Sequence, residues 1–444
     1  MPTRKKGSLL LRALDSENYR LYFFGLAVSL IGAWTQQIAL RWLVYRLTKS
    51  ELLLGIFGFA SDIPVLLLVP IAGVLADKFK RQRILLVTQS LAAVQAIVLA
   101  ILVLTDQAAV WHVMALGALL GIINAFDIPA RQAFLVDVVE NKENLGNAIA
   151  LNSFIFNGAL LIGPSIAGVL IALFGEGPCF IVNGVSCLAL VGALLRMKIA
   201  DKKMTSPNLQ LGRGILEGSR YAFRSVPIRS ILMLVASVSF MSVSYMLLMP
   251  VFAVDVLHGG PQAYGYLMSA TGVGALAGSV FLASRRNIIG LGKLIVVTGI
   301  LYGAGLLALS FSHGLAPSLF IALVVGFCSM AQMASCNTIL QTIVDDGKRG
   351  RVISLFVMAR RGVESLGSLA AGALAHSFGT PGMLMMGGIA CLLASGAFST
   401  KLSMLKTTSI SFHKDLQSVK LAPPALDWDR RRRPTALALR QKSL

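Results

Sequence analysis

Acidic residues are scarce in this sequence: 20 Asp and Glu stand against 40 Lys and Arg among 444 residues, a formal net charge of +20. Charge of either sign is sparse, at 14% of positions against about 25% in soluble domains. That excludes a water-solvated surface for most of the chain. It excludes nucleic acid as a partner too, because that would need a basic face on a soluble body. No phosphate-cradling G-x-x-x-x-G-K-[ST] loop is present, so nucleotide hydrolysis is not the power source. Five cysteines and five histidines are scattered without Cys-x-x-Cys or His-paired spacing, and neither a metal nor a cofactor is expected. With no nucleophile–base constellation either, an enzyme is not expected.

What the chain has instead is apolar length. It is 56% hydrophobic, with a mean hydropathy of +0.75. A spanning helix needs about 20 mostly apolar residues, and twelve runs qualify: 20–46, 51–76, 84–105, 110–130, 146–174, 178–198, 228–254, 263–284, 291–312, 315–340, 352–378 and 381–400. Lipid leaves only helices or closed barrels with a satisfied backbone, and these runs are too long for barrel strands. Thirty-five of the 40 basic residues fall before residue 21, at 78–83, 131–142, 196–229, 285–293 and 348–351, and after residue 400. These are alternate gaps. Positive charge marks the cytoplasmic side, so the reading is a multi-pass protein of the plasma (bacterial inner) membrane with both termini cytoplasmic. Its basic excess attracts anionic membrane lipids. The basic start reads as the foot of the first helix, not a cleavable leader.

The chain also repeats itself. Sliding 145–190 onto 349–394, an offset of 204, superposes Gly163, Gly168, Phe174, Gly175, Gly184 and Cys187 on Gly367, Gly372, Phe378, Gly379, Gly388 and Cys391. The expected organisation is a cytosolic segment 1–19, a six-helix bundle 20–198, a basic linker 199–227, a second six-helix bundle 228–403 and a disordered basic tail 404–444. Within the linker, Gly212 to Arg229 mixes Ile215, Leu216, Tyr221 and Phe223 with arginines and suits a helix lying on the inner membrane face.

Two parallel halves with substrate handled between them is the architecture of the major facilitator superfamily, and three stretches resemble it closely. After the second run, Gly73, Leu75, Ala76, Asp77, Lys78 and Arg81 resemble the signature G-x-L-A-D-R-x-G-R-[RK]; Lys78 replaces an Arg and Lys80 the second glycine. Ala125 to Phe134, AFDIPARQAF, resembles a segment of the branch that includes the enterobactin exporter and macrolide-efflux proteins. Gly163, Pro164 and Gly168 resemble the antiporter motif G-P-x-x-G-G, with Ala167 in place of one glycine. The resemblance implies a monomeric exporter of a drug, siderophore or other amphiphilic small-molecule substrate, driven by protons. A carrier of a lysophospholipid or metabolite, and a non-transporting membrane scaffold, are the alternatives.

Ionisable side chains at mid-bilayer cost several kcal/mol, so each one is a candidate site. Asp62 lies eleven residues past Glu51, about 16 Å along its helix. Arg41 is expected to reach down to it, either as a static ion pair or as the regulator of a proton carrier. Arg360, Arg361 and Glu364 lie at similar depth. Arg361 and Glu364 share a helix face, whereas Arg360 points about 100° away; one of these residues meets an anionic or catecholate-like substrate, Glu364 carries the proton, or the three form an internal salt-bridge cluster. Gly73 is expected to let the second helix approach a neighbour closely. Asp77, Lys78 and Arg81 form a conformational latch, and Asp127 with Arg131, one turn apart, serves the same inner gate.

Overall fold

The computed structural model describes residues 12–139, 144–199, 220–285, 290–344 and 346–401. Of the interfacial stretch expected over 212–229, residues 220–229 are described, while 212–219 and the tail 404–444 lie outside the described residues. Helices α1 (Glu17–Thr48), α2 (Glu51–Lys78), α3 (Arg81–Leu104), α4 (Val110–Val138), α5 (Leu145–Phe174) and α6 (Gly177–Arg196) make the first half. α7 (Val226–Val251), which continues into a π-helical turn Phe252–Val256, begins the second, followed by α8 (Pro261–Ser284), α9 (Leu291–Ser310) and α10 (Leu315–Ile343). Serine side chains start the first two helices: Ser16 Oγ accepts from the Tyr19 amide and Ser50 Oγ from that of Leu53. Polar pairs tie helices together where lipid offers no partner. Gln36 Nε2 donates to Gln95 Oε1 at 2.9 Å, and Asn183 Nδ2 donates to Gln36 Oε1 at 2.8 Å, joining α1, α3 and α6.

Eleven helices among the described residues are long and apolar enough to cross a membrane. The last, Asp346–Ser399, is broken at Gly379, whose φ of 73° and ψ of 164° are not helical. Gly367, before the break, packs on the Phe240 carbonyl of α7; Gly387, after it, lies against Ser244 and Met241 of the same stretch. The chain therefore reverses at Gly379, giving α11 (346–378) and α12 (380–399). All helices alternate between the end holding the described termini and a far end where α1 meets α2 and α11 meets α12. α4 differs most from expectation: it runs through Pro129 to Val138 instead of stopping near residue 130. The extension is possible because its charged residues are turned into the protein, as described below.

The repeat in sequence has a steric basis. Gly163 and Gly367, 204 positions apart, each bring a helix against the first helix of their own half: a Cβ on Gly163 would lie 2.5 Å from Trp34 Cβ, and one on Gly367 2.5 Å from Phe240 O. Gly175 (φ 79°, ψ −174°) and Gly379 occupy the same glycine-only region of backbone space. Each makes the tight reversal into the last helix of its half.

Candidate functional site

The halves meet along two antiparallel helix pairs, and each is set by a glycine crossing. Gly168 of α5 lies on Gly265 of α8, where an added Cβ would come within 2.9 Å of the opposing Cα. Gly55 of α2 lies on Gly372 of α11, at 2.8 Å by the same measure. Gly168 and Gly372 are again the repeat partners. One residue per partner is enough here, because small side chains let backbones touch where no hydrophobic force draws helices together. Ser165 and Ser269, whose hydroxyls are 2.7 Å apart, continue the α5–α8 seam. Nearer the far end, Tyr45 donates to Asp255 Oδ2 at 2.5 Å, and the Trp42 and Tyr264 rings stack. The cross-seam contacts named here run from mid-bundle to the far end. Beyond them, towards the termini, a Cβ on Gly73 of α2, or on Gly146 or Gly158 of α5, would meet nothing within 4 Å. Gly73 was expected to permit a close approach. In this conformation the face of α2 at Gly73 is open, although Ala72 beside it is buried.

The α2–α11 seam carries the charge. Glu51 and His376 are 3.8 Å apart, Gly58 faces Ser368, and Gly362 faces Leu66. Each step down α2 is thus matched by an equal step up α11, and this register sets Asp62 opposite Ser365, beside Glu364. The charges acting on Asp62 are, in order, those of Arg361, Glu364 and Arg41. Arg361 of the other half thus lies near Asp62, but no ion pair within 4 Å joins Asp62 to any basic group among the described residues. The expected Arg41–Asp62 ion pair is absent among the described residues; Arg41 lies beside Tyr264 of α8, with its Nη1 buried and unpartnered. Glu364 engages both arginines of its own helix: Arg360 Nε at 3.3 Å from Oε1 and Arg361 Nη1 at 3.5 Å from Oε2. Arg360 was expected to point away. Its long side chain instead uses the i,i+4 neighbour relation. The cluster therefore sets three guanidinium groups against two carboxylates, drawn from α1, α2 and α11, in a setting where an unbalanced charge is costly. It can take up a proton on a carboxylate or hold an anionic group against the arginines.

Among the residues expected at the inner gate, Asp127, Arg131 and Arg81 find partners within the first half. Asp127, 1% exposed, pairs with Arg131 on its own helix and accepts from Thr88 Oγ1 at 2.9 Å and Gln89 Nε2 at 2.8 Å on α3. This network lies inside the first half and fastens α3 to α4. Removing one member strands the other: Asp127→Ala is expected to lower stability by about 3–5 kcal/mol, read as thermal unfolding in detergent. Stability equal to the parent protein's would show that the pair contributes nothing. Arg81 donates to Asp137 Oδ2 at 2.8 Å and to the Ala133 carbonyl at 3.3 Å, joining the start of α3 to the end of α4. Lys78 is exposed, and the side chain of Asp77 lies outside the described residues. Asp137, Asp255, Tyr264 and the Ser165–Ser269 pair were not singled out in the sequence. Asp137 and Asp255 carry the one available signal, an acid at the end of an apolar run.

Twin helical halves meeting across a mid-bundle charge cluster define a membrane transporter that works between its two bundles. The chain belongs to the transmembrane secretion effector family of the major facilitator superfamily, whose model matches residues 11–439. Among its relatives are the staphyloferrin A transporter of Staphylococcus aureus, 28% identical over 85% of this chain and 94% of that protein, and the multidrug efflux pump Tap of Mycolicibacterium fortuitum, 25% identical over 77% and 85%. Macrolide efflux protein A of Streptococcus pyogenes is 23% identical over 76% and 85%. In fold the chain is similar to a bacterial homologue of the human lysosomal transporter Spinster in an inward-facing, unoccupied conformation, with a TM-score of 0.63 at 13% identity over 92% of this chain and 99% of that one.

Proposed function

We propose that the protein is a secondary exporter of an amphiphilic small molecule, a drug or a siderophore, driven by proton entry. It works as a monomer in the bacterial inner membrane, with both termini, the 199–227 linker and the 404–444 tail in the cytosol. The termini end of the bundle then faces the cytosol, and the glycine crossings close the outer side. One observation carries the reading: Asp62 of the first half is registered against Arg361 and Glu364 of the second. Rocking the halves apart along α2 and α11 takes Asp62 away from its counter-charge and favours its protonated form; rocking back favours release. Asp62 is thus the proton carrier, and Arg41 and Arg361 set its balance. The names of the relatives, covering a siderophore, a macrolide and several drugs, support an adaptable amphiphile as substrate.

The reading is tested in a strain stripped of its own pumps and loaded with a fluorescent dye, a macrolide or a catecholate. Expression of the protein is expected to lower accumulation of at least one of the three, and a protonophore to restore it. Accumulation of all three unchanged by expression rejects export.

A further inference from the structure

Outside the seam, the first half carries a groove of about 560 Å³ between α1 and α6, at the termini end of the bundle. Arg20 and Arg196 stand at its mouth, while Phe24, Val28, Ala189 and Ala193 line it deeper in. On α1 the sequence of the lining is a stripe: Arg20, Phe24 and Val28 follow at successive turns, reaching about 12 Å into the bundle's depth. Phe24 and Val28 are exposed, 58% and 47%, on the outer surface of the bundle. Nothing lies within 4 Å of a Cβ built on Gly192, so the groove stays open on the α6 side; a Cβ on Gly25 would meet Ala193 Cβ at 2.9 Å, so its floor is closed. A pair of hydrogen bonds bridges the two helices beside the mouth. Asn18 Nδ2 donates to the Lys198 carbonyl, and the Lys198 amide donates to Asn18 Oδ1, both at 3.1 Å. Neither arginine has an ion-pair partner among the described residues.

We propose that this groove binds one anionic phospholipid, its phosphodiester between Arg20 and Arg196 and an acyl chain lying over Phe24 and Val28. Two guanidiniums at the membrane surface attract a headgroup of net negative charge, and a basic mouth between spanning helices is how proteins select such lipids. The apolar trough below commits the ligand to a chain-bearing source: free phosphate would satisfy the mouth and leave the trough empty. The site stands independently of the transport reading. Only its placement in the cytosolic leaflet rests on the orientation proposed above.

The experiment uses the purified full chain in detergent with dioleoyl phosphatidylglycerol, dioleoyl phosphatidylcholine or glycerol 3-phosphate, scored by native mass spectrometry and thermal stability. Phosphatidylglycerol is expected to be retained about tenfold more than phosphatidylcholine and to raise the unfolding temperature, whereas glycerol 3-phosphate does neither. Arg20→Gln with Arg196→Gln should erase the preference, and Val28→Trp should lower retention of both lipids by blocking the trough. Elution as a single sharp peak controls for folding. Equal retention of the two lipids by the parent protein, or a preference untouched by the arginine variants, overturns the site. Retention untouched by Val28→Trp overturns the groove and leaves only surface charge. Loss of transport in the accumulation assay leaves these outcomes unaffected.

Discussion

Proton-driven transport by the Asp62→Asn variant is expected to fall at least about 100-fold, equivalent to about 2.7 kcal/mol, in proteoliposomes with an imposed pH gradient. The amide keeps the size of the carboxyl and mimics its protonated form but cannot be ionised, so the α2–α11 register survives while the titratable group is lost. Substrate-for-substrate exchange should persist, because exchange needs no net proton movement. That contrast separates coupling from simple damage to the site. Glu364→Gln is the paired variant: it frees Arg360 and Arg361 together and should weaken substrate binding and exchange as well. If Asp62→Asn still drives transport against a gradient and Glu364→Gln does not, the proton carrier is Glu364.

The second large effect concerns closure of the far end. In Gly168→Leu the new Cβ lies 2.9 Å from Gly265 Cα, and in Gly372→Leu it lies 2.6 Å from the Glu51 carbonyl and 2.7 Å from Gly55 Cα. The obstacles are backbone atoms of the opposite half, which cannot rotate aside as a side chain would. Each variant should keep its helical content yet lose transport to the background of empty vesicles, because the halves no longer meet. A reporter cysteine at Ser269 should then react with a membrane-impermeant maleimide from the far side. The opposite perturbation should stop the cycle in the closed state: Ser165→Cys with Ser269→Cys sets two thiols where hydroxyls now lie 2.7 Å apart, within reach of a disulfide. Oxidation is expected to halt transport and reduction to restore it. All five native cysteines are buried, so the background is quiet. Full transport by both leucine variants would show that the crossings are packing detail and not a gate.

Crossing a bilayer imposes a compositional rule, so the spans, their alternation and the twofold repeat were legible from residue types alone. So was the short list of costly mid-depth charges. Their partners were not. Arg41 was paired with Asp62 by depth on neighbouring helices, but depth says nothing of which face a residue turns. Asp62 faces α11 because Gly55 and Gly372 seat α2 there, and that register between helices some 300 residues apart leaves no local trace. Asp127 and Arg131 read as gate residues through their position near the cytosolic end of a run. Thr88 and Gln89, which satisfy Asp127 from α3, look like ordinary polar positions in a helix. The glycine repeat was visible as a pattern, whereas its cause, two backbone crossings and two reversals, needed three dimensions.

Gly175 and Gly379 bear on how the bundles can move. Each couples a seam helix, α5 or α11, to an outer helix through a reversal too short to lengthen. A seam helix so tethered cannot slide alone along its own axis past its companion by a helical turn of about 5.4 Å. It is free to tilt about the tether. A lengthwise ratchet of one seam helix would have to drag its tethered neighbour with it, whereas a pair of stiff paddles swinging from their far tips needs no such movement.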